Sequence, residues 1–152
     1  MDRNLLLAAL LIDEKDSHEY FGHKYNISNN IKENLNSFAK NLKLINTNKG
    51  FFNEDLEKNI YLYDKNYLIN LIIINFVINS KLKLKDFNET FKKILRSKIH
   101  KFTIDGKYLI ENGMQEGPLM GKALREIEEE WIQNNFHITK ERVKEIIHSY
   151  PS

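Results

Sequence analysis

Lys107-Tyr-Leu-Ile-Glu-Asn-Gly113-Met-Gln-Glu-Gly117-Pro118-Leu-Met-Gly121-Lys122-Ala-Leu-Arg125 lies in the last third of a 152-residue chain and decides how the rest is read. A glycine suits the left-handed residue that ends a helix, and a proline suits the first helical position, where its missing N–H loses nothing. Gly113 followed by Gly117-Pro118 therefore spells a helix stop, a tight turn and a helix start. Beyond the turn, Met120, Leu124, Ile127 and Trp131 recur at steps of four, three and four, which places them on one helical face turned to a core. Gly121 sits beside that stripe, where a missing side chain admits close approach of another backbone.

The same helical period runs through the chain. Residues 5–12 form an apolar run read as a buried first helix, and residues 13–26 are polar, with Gly22 as a turn residue. Ser28 is placed as the N-cap of a helix to about Leu44, with Ile31, Leu35, Phe38, Leu42 and Ile45 as its inward stripe. A further helix starts at Asn53-Glu-Asp, and residues 68–78 form a central core helix, far short of the ~20 apolar residues a membrane span needs. Residues 84–99 carry Phe87, Phe91, Ile94 and Leu95 inward, and residues 105–112, 118–134 and 139–150 complete the set, the last capped by Thr139. With no run of period-two alternation, the fold class is all-α, a compact bundle of about eight helices ending in a helix-turn-helix tail module. The expected division is a body-like part, 1–100, and a tail module, 101–152, packed as one unit.

The sequence has no cysteine, which excludes disulfides and thiolate metal sites and fits a cytoplasmic location. The run behind Arg3 is too short, and too quickly followed by Asp13-Glu-Lys-Asp16, to read as a secretory signal. A net charge of +2 is too mild to imply a nucleic-acid partner, but its distribution is uneven. Between Ser80 and Lys101 eight basic residues, among them Lys92, Lys93 and Arg96, face only Asp86 and Glu89. That window is either a solvated helix face or a phosphate-facing surface.

Taken from Ile104-Asp-Gly106 through Gly113, Gly117-Pro118, Gly121, Glu128, Trp131-Ile132 and Phe136, the tail resembles the C-terminal module of bacterial class II tRNA nucleotidyltransferases, the CCA-adding enzymes and their poly(A) polymerase relatives. It departs from that pattern at Tyr108, where the family has an acidic residue, and in lacking the prolines upstream of the module. A weaker likeness runs through Leu5 to Leu11, Ile27-Ser28-Asn29 and Tyr61-Leu-Tyr63. The resemblance implies the tRNA-holding body and tail without the catalytic head. The chain contains no Asp-x-Asp pair and no Gly-Ser or Gly-Gly turn, so ATP or CTP and Mg would belong to a separate head, with no cofactor held by this chain and no catalysis by it alone. The implied partners are tRNA and a separate catalytic head protein; a homodimer is the alternative, and a membrane is not expected.

The helix start at Gly117-Pro118, with Lys122 and Arg125 one and two turns in and Lys107 on the preceding helix, is the candidate phosphate grip. Glu126, Glu128, Glu129 and Glu130 confine any such contact to the first turns. The competing reading makes the glycines packing residues at a helical corner. Two decoys are set aside. Asp13, Asp16, His18, Glu19 and His23 match no metal-ligand spacing, and Ala8-Ala-Leu-Leu-Ile12-Asp13 lacks the histidine that metal-dependent HD phosphohydrolases carry where Ile12 stands. Beside the tRNA-holding expectation stand a helical protein-interaction or dimerisation module and, more remotely, a DNA-binding helix-turn-helix.

Overall fold

The computed structural model describes residues 3–13, 15 and 17–150. Its described residues form nine α-helices and no strand. The chain divides into two compact units, Met1–Ile99 and His100–Ser152, each with its own hydrophobic core. No helix among the described residues is long and apolar enough to cross a membrane.

The first unit is arranged around α5 (Lys65–Ile78), which is apolar nearly all round its circumference and so must be surrounded. Leu68, Leu71 and Ile74 are fully buried there. Four helices pack on it: α1 (Arg3–Leu11), α3 (Asn29–Thr47), α4 (Leu56–Tyr63) and α6 (Leu84–Arg96). Helix α3 delivers Leu35, Phe38 and Leu42 as its stripe requires, with Ile31 and Ile45 at the edge of the core. Phe38 stacks on Tyr67 of α5 at 4.7 Å between ring centroids. The Tyr67 hydroxyl is within 2.8 Å of Ser37 Oγ and accepts from Asn41 Nδ2 at 2.9 Å, so this polar atom enters the core with partners. Burial pushes the Tyr67 phenol above its usual range.

Several boundaries differ from the sequence expectation. Residues 17–24, expected to be loop, form α2 (Ser17–Lys24), which packs on α1 and α3 and buries His18 and Gly22. Its start is held by Asp13, whose carboxylate accepts from the Ser17 N–H at 3.0 Å and the Ser17 hydroxyl at 2.7 Å. Gly22 is not a turn: the Lys32 stem lies 3.5 Å from where a Cβ would stand. Helix α1 is only half buried, with Ala8 enclosed and Leu10 79% exposed. On α6, Leu95 faces outward, leaving Ile94, Phe87 and Phe91 to reach the core.

A single residue joins α4 to α5. Asp64 sits at φ 65° and ψ 165°, a region that side chains rarely occupy, and its carboxylate accepts from the Tyr67 N–H at 2.9 Å. The cap holds the joint against its strain.

The second unit packs α7 (Gly106–Glu111) and α9 (Lys140–Ser149) against α8 (Met120–Gln133). Helix α7 is capped by Asp105, which accepts from the Tyr108 N–H at 2.9 Å. It ends on Gly113 at φ 99°, with the Gly113 N–H on the Ile110 carbonyl and the Met114 N–H on the Leu109 carbonyl, both at 3.0 Å. That is the Schellman pattern, and Leu109 and Met114 make the apolar contact that accompanies it. Helix α8 ends the same way: the Phe136 N–H reaches the Trp131 carbonyl at 2.8 Å, and the two rings meet edge to face at 4.9 Å. Phe136 holds φ 62°, a strained value for an aromatic residue, under a stacked His100 ring 3.7 Å away.

Pro118 does not open α8. It lies in a turn closed by the Met120 N–H on the Gly117 carbonyl at 3.1 Å, and the helix begins two residues later, at Met120. Gly121 is not a packing glycine either, because a Cβ added there, or at Gly117, would meet nothing within 4 Å. The core face of α8 is centred on Ala123 and Ile127, with Met120 and Leu124 flanking it. Gly113→Ala is expected to lower the unfolding free energy by about 1 kcal/mol, while Gly121→Ala raises it by roughly 0.5–1 kcal/mol. Urea melts of the two variants check this opposition. Asp64→Ala, which removes the cap and keeps the strain, is expected to lower stability by about 1 kcal/mol more than Asp64→Gly does.

Candidate nucleic-acid interface

The basic residues marked by the sequence fall in the two different units. Lys92, Lys93 and Arg96 are on α6 of the first, whereas Lys107, Gly117, Pro118, Lys122 and Arg125 are in the second. The units differ in charge: residues 1–99 carry 16 basic against 12 acidic side chains, and residues 100–152 carry 7 against 9. Phosphate attraction therefore favours the first unit.

Helix α6 earns its two faces from its sequence. Phe87, Phe91 and Ile94 hold one side to the core, which leaves Lys85, Glu89, Lys92, Lys93 and Arg96 exposed on the rest. The last three, with Leu56, Glu89 and Ser97, line a shallow cleft of about 500 Å³. Lys92 and Arg96 stand one turn apart and pair with no acid among the described residues. Lys93 donates from Nζ to Asn53 Oδ1 at 2.7 Å, so it is held in place, and Glu89 leans 4.0 Å from Lys85. These cations also sit over the carbonyl end of α6, where the helix dipole favours them.

A residue that the sequence did not single out completes this end. Lys65, on α5, donates from Nζ to the carbonyls of Leu95 at 2.8 Å and Ser97 at 2.6 Å. It satisfies acceptors that the end of α6 would otherwise leave open. Nothing in the local sequence signals this, since the partners are 30 and 32 residues away.

In the second unit the donors are scarcer than the sequence suggests. Of the first amide groups of α8, those of Met120 and Lys122 are already engaged, the latter on the Leu119 carbonyl at 3.0 Å. Lys122 and Arg125 are exposed, and Lys107 is 3.9 Å from Glu111. The cleft beside the turn, about 270 Å³, is lined by Gly117 and Pro118 together with Glu116, Leu119, His148 and Tyr150, and by no lysine or arginine. Arg142 is committed elsewhere: its Nε donates to both Glu130 oxygens at 2.8 and 3.0 Å, and one terminal nitrogen to Glu145 at 3.0 Å, which pushes its pKa upward. Tyr150 donates to Glu126 at 2.7 Å, which raises its own pKa.

Among the described residues no three His, Cys, Asp or Glu side chains could hold a metal ion; Asp16 lies outside them. Family models, curated proteins and solved structures were compared with this chain, and none matches it. The nucleotidyltransferase resemblance therefore stands on the residues quoted for it. Lys65→Met is expected to lower stability by about 1 kcal/mol, through the two carbonyls it leaves open, and to shift the thermal midpoint without touching the exposed Lys92 and Arg96. Calorimetry of this variant separates the cap from the surface cations.

Proposed function

We propose that this chain is a helical, non-catalytic RNA-holding part of a tRNA nucleotidyltransferase-like protein, which grips the phosphate backbone of tRNA chiefly through α6. The observation that carries the reading is Lys92 and Arg96, paired with no acid among the described residues and one turn apart at a cleft in the more basic unit. Cations so placed neutralise backbone phosphates and read no bases. The α7–α8 corner, in this reading a helix-turn-helix tail, offers Lys107, Lys122 and Arg125 as weaker secondary contacts. Gly117 and Gly121, open to solvent with no internal packing to serve, leave room for a ribose-phosphate strand against it. A separate head protein would bring ATP or CTP and Mg, and the pair would act in the cytoplasm.

The test is a titration of the purified chain with tRNA at 50 and 200 mM salt. Two to three phosphate contacts predict a loss of affinity of about 10- to 40-fold across that range. Lys92→Glu combined with Arg96→Glu is expected to flatten the salt slope by about two, and Lys122→Glu with Arg125→Glu to do less. Equal affinity in the α6 variant would remove this site, and equal competition by double-stranded DNA would favour the DNA-binding reading.

A second reading has its own observation. Leu6 and Leu10, one turn apart on α1, are 42% and 79% exposed, which suits a protein-interaction or homodimerising surface. Light scattering over a concentration series would show that association; a monomer throughout would count against the homodimer.

A further inference from the structure

Away from α6, a half-open cleft of about 270 Å³ lies between α2 and α3 in the first unit, lined by His18, Glu19, Gly22 and His23 of α2 and by Lys32 and Asn36 of α3. His18 is the unusual member. It is only 4% exposed, and its Nδ1 is buried with no hydrogen-bond partner among the described residues. A buried ring nitrogen without a partner costs free energy, so phenylalanine would serve this position better unless a group from outside the chain reaches the imidazole. The cleft on which the ring lies is the way in for such a group.

Charge at the cleft points to the kind of molecule. Lys32 is half-buried, its stem laid over Gly22 with Cγ 3.5 Å and Cε 3.7 Å from where a Cβ would stand, so α2 seats the chain that carries the ammonium. Glu19 is exposed on α2. Lys32 and Glu19 line one cleft, yet they form no ion pair with each other or with any other described residue. Two opposite charges left unneutralised at one opening complement a molecule that carries both signs; a plain anion would meet the carboxylate and a plain cation the ammonium. We propose that this cleft binds a small zwitterion of the amino-acid class, its carboxylate on Lys32, the Asn36 amide and the Nδ1–H of His18, its ammonium on Glu19. The volume lies just below the ~300 Å³ at which sites for drug-sized ligands begin, which suits a molecule of that size. The inference is independent of the tRNA-holding proposal, since it shares no residue with the α6 cleft.

The probe is L-alanine, titrated into the isotope-labelled full chain at constant ionic strength and followed by amide and imidazole NMR shifts. Saturable shifts are expected in α2, α3 and the His18 ring. Acetate and methylammonium, which carry one charge each, are expected to bind at least about tenfold more weakly. Glu19→Gln and Lys32→Gln should each weaken L-alanine binding about five- to tenfold, Asn36→Ala about threefold, and His18→Phe about tenfold. Glu19 and Asn36 are exposed, so their variants test the site whatever His18→Phe does to the fold. No saturable shift, acetate or methylammonium binding as tightly as L-alanine, or unchanged affinity in Glu19→Gln and Lys32→Gln would each overturn the site. Unchanged affinity in His18→Phe would overturn the role of the ring.

Discussion

The first unit depends on the burial of α5. A helix apolar on every side cannot rest on a surface, and Leu68, Leu71 and Ile74 find cover only when α1, α3, α4 and α6 close round them. Each surrounding helix can then be amphipathic, with an inner stripe and an outer face free for other work. The basic face of α6 follows from this: Phe87, Phe91 and Ile94 are drawn inward, and the lysines and arginine between them are left in water.

Two polar arrangements within that burial show different outcomes of the same cost. Tyr67 enters the core with Ser37 and Asn41 on its hydroxyl. Asn41 gives that bond from its amide nitrogen, while its own Oδ1 and the Nδ1 of His18 are buried with no hydrogen-bond partner among the described residues. The first ties α3 to α5; the second leaves polar atoms unspent inside the unit. A buried polar group that the fold does not satisfy is informative because it was not removed in favour of a hydrocarbon of the same size.

The second unit is governed by its helix ends. Its helices are short, and the stops at Gly113 and Phe136 each return the chain by a six-to-one hydrogen bond reinforced by an apolar contact. This explains why Leu109 and Met114 stand five residues apart in the sequence and together in the core, and why the Trp131 and Phe136 rings meet across the same spacing. The glycines at 117 and 121 belong to no such device.

Most helices, with the caps at Ser28 and Thr139, were legible in the sequence because helical period and capping are local properties that a few neighbouring residues set. The stop at Gly113 was legible for the same reason, since only a residue without a side chain takes φ 99° at little cost. Helix α2 was not, because its eight residues are too polar to announce a buried face and are held by Asp13 and by packing on α1 and α3. The basic window on α6 could be marked from charge spacing, but which of its cations stay unpaired, which bind Asn53, and that Lys65 closes the helix end depend on residues 30 or more positions away. Local order is written in short stretches of sequence. Partners and clefts exist only once distant segments meet, so tertiary structure alone decided them.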